Sequence, residues 1–173
     1  MPNLRFNIKD LNQKQLVEKS NKESDAIYSK ESTRKGRTIE AIRMSNLYGL
    51  ASEQFLIEKC GFNDDPRAYK DVISPQGHSV EIKTTSAKGV AKMLNTCDYW
   101  KVSEPWRQLP AWLMIFESEW LSGEYILQGT YKWNGQSYAD AAFDWQKEAK
   151  AAIDLREDEL WLANPVWNIS HNA

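Results

Sequence analysis

Tyr69-Lys-Asp-Val-Ile-Ser-Pro-Gln-Gly-His-Ser-Val-Glu-Ile-Lys-Thr-Thr85 is the stretch on which the reading of this chain turns. Ser74-Pro75-Gln76-Gly77 carries a turn signal, with proline fixing one backbone angle and glycine permitting an unusual one. The flanks then fold back as a tight β-hairpin, and Asp71, ten residues before Glu81, returns beside it. Alternation along a strand puts Glu81 and Lys83 on one face, while Val80 and Ile82 point the other way, toward a core. Two carboxylates and an ammonium thus share one small surface. Carboxylate oxygens suit a hard divalent cation. The competing reading of a Glu-X-Lys strand is a solvated face with a cross-strand ion pair.

A second carboxylate source lies upstream. From Thr38 to Cys60 there is no proline and many good helix formers, and Gly61 stands as a C-terminal stop. At 100° per residue, Ile39, Ile42, Leu50, Leu56, Ile57 and Cys60 gather on one arc. Glu53 falls in the middle of that arc, and a carboxylate facing a core is costly without a partner or cation. Gly49, one turn earlier, suggests a close approach by another element. A slightly rotated helix would instead leave Glu53 on a boundary.

With Gly49-X3-Glu53, Asp71 and Glu81-Ile-Lys83 in that order, the chain resembles the PD-(D/E)XK nuclease superfamily. The resemblance runs from Gly49 to Thr85 in the order helix, strand, turn, strand. Lys70 stands where the pattern has proline, and Asp64 and Asp65 are rivals for the first acid. Within the superfamily the chain looks most like the small homodimeric type II restriction endonucleases of the PvuII kind, with faint echoes at Leu109–Phe116 and Asn164-Pro165. The resemblance implies an α/β, restriction-endonuclease-like core with a central mixed β-sheet flanked by helices. It further implies catalysis by Glu53, Asp71, Glu81 and Lys83. Asp71, Glu81 and Glu53 would bind Mg²⁺, with Mn²⁺ expected to substitute, and the products would carry a 5′-phosphate and a 3′-hydroxyl. Close carboxylates keep a lysine protonated, which favours an electrostatic role for Lys83 over that of a base.

With 173 residues, 42% of them apolar, one domain with a core of its own is expected. Residues 1–34 are polar and weakly periodic, and read as an N-terminal arm, mobile or helical around Leu11, Leu16 and Val17. Residues 35–173 read as the single nuclease-like domain. No apolar run reaches a membrane span, and no signal-peptide stretch opens the chain. Two cysteines, Cys60 and Cys97, make neither a disulfide framework nor a zinc site, so a reduced, cytoplasmic setting is expected.

The net charge of −2 argues against attachment to nucleic acid by bulk electrostatics. Its distribution is uneven. Residues 1–50 carry ten basic and six acidic groups (+4), 51–110 carry eight of each, and 111–173 carry four against ten (−6). A DNA-facing surface is therefore expected from Arg34, Lys35, Arg37, Lys70, Thr84, Thr85 and Lys88, with a solvated charge run as the alternative at Arg34–Arg37. Six of the eight tryptophans lie between Trp100 and Trp145, a placement that suits core and interface more than base stacking.

Further strands are expected from Ala111 to Trp120 and from Tyr125 to Trp133, with a strong turn at Asn134-Gly135. A helix is expected from Ala139 to Ile153 and a last strand from Glu159 to Ala163. The expected activity is Mg²⁺-dependent cleavage of double-stranded DNA by a homodimer, restriction-like or homing. A repair or recombination nuclease and a non-cleaving DNA-binding module are the alternatives.

Overall fold

The computed structural model describes residues 4–67, 71–104, 110–119 and 122–144. In chain order the elements are β1 (Arg5–Asn7), α1 (Gln13–Tyr28), α2 (Glu31–Arg34), α3 (Ile39–Cys60), β2 (Asn63–Asp64), β3 (Val72–Ile73), β4 (Ser79–Thr85), α4 (Val90–Ser103), β5 (Trp112–Glu119), β6 (Glu124–Trp133) and β7 (Tyr138–Asp140). The strands form one mixed sheet in the order β1-β6-β5-β4-β3-β2, and β7 pairs with β6. Among the described residues β4 and β5 run parallel and the other pairings are antiparallel. The architecture is α/β, with a mixed sheet between helices.

Helix α3 begins and ends where its capping residues dictate. The Thr38 side chain accepts the Ala41 N–H at 3.1 Å, and Gly61 takes a left-handed φ of 73°. The C-terminal half of α3 is buried more broadly than the expected arc. Ala51, Phe55 and Leu56 are fully enclosed, whereas Ile57 is only half-buried. Gly49 departs from its expected role: a Cβ there would meet nothing within 4 Å among the described residues, so none of the described elements approaches closely.

The helix expected around Leu16 and Val17 is present as α1, but residues 4–34 pack into the core rather than forming a separate arm. Phe6 of β1 stacks between Phe55 of α3 (ring centroids 4.3 Å apart) and Tyr125 of β6 (4.6 Å). Leu4, Leu11 and Leu16 join the same core. The weak periodicity hid this because β1 is three residues long and its partner, β6, is remote in sequence. The strands expected around 111–120 and 125–133 are present as β5 and β6.

Two further expectations change. Ala139 and Asp140 belong to strand β7, and Ala141–Asp144 are not helical. The Asn134-Gly135 turn, with Gly135 at φ 99°, sends the chain back along β6 before any helix can start. The rest of the expected helix, the 159–163 strand and Asn164-Pro165 lie outside the described residues. Helix α4 is absent from the sequence expectations, although parallel β4 and β5 require a crossover between them.

Two apolar clusters cover the two faces of the sheet. One joins α1, α3 and β1 to Val80, Ile82, Met114 and Phe116. The other joins Cys97, Val90, Met93 and Leu94 of α4 to Leu113, Ile115, Tyr131 and Tyr138. Trp112 packs on the first and Trp133 on the second.

Candidate active site

The hairpin forms as its turn residues require. Ser74 N–H donates to the His78 carbonyl at 2.8 Å, Gly77 N–H donates to the Ser74 carbonyl at 2.8 Å, and Gly77 has φ 89°. Val72 pairs with Val80 and Ile73 with Ser79, so Asp71 arrives level with Glu81. Its carboxylate Oδ2 accepts the Ile82 N–H at 2.7 Å. A side chain takes a bond that a neighbouring strand would ordinarily make. The ladder ends there, and the Asp71 carboxylate lies close to the plane of the sheet.

Glu81 and Lys83 share a face, with Lys83 Nζ 3.3 Å from Glu81 Oε1. The parallel register identifies that face. Glu81 pairs with Leu113 and Lys83 with Ile115, both in the cluster under α4. Val80, Ile82 and Thr84 pair with Trp112, Met114 and Phe116 on the α3 side. Glu81 is 9% exposed, and the Trp100 ring of α4 lies over Lys83 Nζ at 5.3 Å.

Glu53 approaches from α3, on the opposite side of the sheet from Glu81 and Lys83. Its carboxyl is pushed up to about 8, first by burial and then by the negative charge of Asp71, with Lys19 opposing. Asp71 is pushed up to about 6 by burial; the Ile82 N–H and Lys83 work against that rise, while Glu81 adds to it. Asp71 therefore feels charges from both sides of the sheet. It is the hinge of the site. Burial works against the charge on Lys83, but Glu81 and Asp71 outweigh it and hold the ammonium above its ordinary range.

No family model, curated protein or solved structure matches this chain. The chemistry of the site has to come from its own donors and charges.

Both rivals for the first acid are engaged elsewhere. Asp65 is held by a two-bond fork from the Arg67 guanidinium. Asp64 accepts from Lys19 Nζ at 2.7 Å. Nothing local in the sequence marks Lys19, because α1 comes beside the site only through the fold. Trp100 is unmarked for the same reason: it reaches the site on the crossover helix α4.

The candidate DNA contacts are dispersed. Thr85 shares the face of Glu81 and Lys83, and Lys88 is exposed just beyond it. Thr84 points the other way, its hydroxyl 2.9 Å from that of Ser52, so it braces β4 against α3. Lys35 and Arg37 are exposed in the turn before α3, Arg34 is half-buried, and Lys70 lies outside the described residues.

The donor set suits a hard cation in chemistry, since it is made of carboxylate oxygens. Among the described residues no three His, Cys, Asp or Glu side chains are gathered as a complete metal cage. Mg²⁺ is commonly held by one or two carboxylates, several waters and substrate phosphate oxygens. Asp71 and Glu81 fit that pattern without a third ligand.

Proposed function

We propose that this protein is a Mg²⁺-dependent endonuclease acting on double-stranded DNA, of the PD-(D/E)XK type. The observation that carries the reading is the meeting of Asp71, Glu81 and Lys83 at the end of one hairpin, with Glu53 close enough to feel the charge of the same aspartate.

Asp71 and Glu81 would hold the cation, with Glu53 reaching it through water. When bound there, it would offset charge on the scissile phosphoryl oxygens and lower the pKa of a coordinated water. Lys83 keeps its proton beside two carboxylates, so it donates to and orients the attacking water, or offsets charge growing on phosphorus. A role as general base would demand a lowered pKa, the opposite of its shift. Thr85, on the same face, is placed to donate a hydrogen bond to a neighbouring phosphate.

A homodimer belongs to this reading on symmetry grounds, because a two-fold duplex site is matched by a two-fold protein. No helix among the described residues is long and apolar enough to cross a membrane.

The test is incubation of purified protein with supercoiled plasmid and Mg²⁺, with and without EDTA, beside Glu81→Gln. Discrete linear products that need Mg²⁺ and Glu81 support a site-specific enzyme acting as a dimer. Nicks alone, from a protein that is monomeric by light scattering, favour a repair role. Intact DNA that is nonetheless bound favours a binding module and overturns the nuclease reading.

A further inference from the structure

The Lys83 ammonium is confined on two sides. Glu81 Oε1 stands 3.3 Å away, and the face of the Trp100 indole covers Nζ at 5.3 Å from the ring centroid. A free lysine side chain visits many rotamers, whereas a ring face and a carboxylate together leave few. Helix α4 is fixed where this matters. One residue after Trp100, Lys101 is 1% exposed and donates to the Pro110 carbonyl beneath the rings of Trp133 and Tyr138. Two residues before Trp100, Asp98 accepts the Tyr138 N–H at 2.7 Å. These anchors set the rotation of α4 and with it the place of the indole.

We propose that Trp100 is a positioning residue for Lys83, its indole face holding the ammonium toward the phosphate to be cleaved. The proposal rests on the nuclease reading, and its test separates the two.

Lysine ε-methylene signals are recorded by NMR on ¹³C-lysine-labelled protein, with Lys83 assigned through Lys83→Arg. The ring current of Trp100 should place the Lys83 signal upfield of exposed lysines, and Trp100→Leu should return it to their position. In cleavage assays Trp100→Leu should lower kcat about 10-fold with little change in KM, and Trp100→Phe should recover most of that loss. Circular dichroism checks folding, and if the Leu variant fails to fold, Trp100→Met carries the same comparison. An active wild type whose kcat and Lys83 signal survive Trp100→Leu overturns the role of Trp100 alone. A wild type inert on DNA with Mg²⁺ and Mn²⁺ overturns the nuclease reading and any part for Trp100 in cleavage.

Discussion

Lys83 and Glu53 show how far the surroundings of one side chain set its chemistry. Lys83 feels the negative charges of Glu81 and Asp71, which keep it charged despite burial. Lys83→Met should lower the cleavage rate at least ~100-fold, the scale of losing one donor to a developing phosphoryl charge. Lys83→Arg should retain part of it. A Met variant with wild-type turnover would remove Lys83 from the mechanism. Glu53 yields a pH prediction in buffer free of divalent ions. Its folded pKa, about 8, lies above the ordinary 4.5, and that of Asp71, about 6, lies above 3.8. Both carboxyls therefore bind protons more tightly when folded. Their contribution to stability is complete below the ordinary values and is lost as pH rises through about 6 and then about 8. The unfolding temperature should fall from pH 6 to pH 9, and Glu53→Gln should flatten the upper part of that fall. An unchanged slope in differential scanning fluorimetry would place the titration elsewhere.

At the scale of the element, the N-terminal segment carries the sharpest expectation. Phe6 lies stacked between Phe55 and Tyr125, and Leu16 of α1 is 1% exposed. Removing residues 1–28 strips the core of both, and one large-to-small change at such a position costs roughly 2–5 kcal/mol. The truncated protein should lose its cooperative thermal transition. A shortened chain that melts as sharply as the full one would return this segment to the status of an arm. The elements legible in the sequence were those with local causes. Thr38 and Gly61 bound α3, Ser74–Gly77 closes the hairpin, and alternation sets Glu81 beside Lys83. What escaped depends on remote partners. β1 is extended only because β6 lies open to it, and α4 has no side-chain hydrogen bond at its N-terminus to announce it. Glu53 was placed on the inward arc, but alternation and periodicity fix only faces within an element. That α3 and α4 cover opposite sides of β4, with Asp71 between them, follows from the sheet pairing.

At the scale of the molecule, the proposed function asks a chain of net charge −2 to hold a polyanion. Residues 111–173 account for −6 and residues 1–50 for +4, so attraction to DNA has to be local. The most basic local feature is the turn between α2 and α3, and it is ordered by its own contacts. The Arg34 guanidinium sits over the Tyr28 ring at 5.1 Å, and Arg37 donates to the Thr33 and Arg34 carbonyls at 2.8 and 3.1 Å. Lys35 takes a left-handed φ of 53° that is uncommon for a lysine. If these three side chains each neutralise a phosphate, each contributes about 0.9 to the slope of log affinity against log salt. Fluorescence anisotropy with a labelled duplex, with Ca²⁺ in place of Mg²⁺ to prevent turnover, measures that slope from about 50 to 200 mM salt. Replacing Arg34, Lys35 and Arg37 together by alanine should reduce it by about 2 to 3 and weaken binding similarly for all sequences. A slope that survives the triple substitution would make the run a solvated surface. The proposed hold on DNA would then rest on Lys88 and the site's own Lys83.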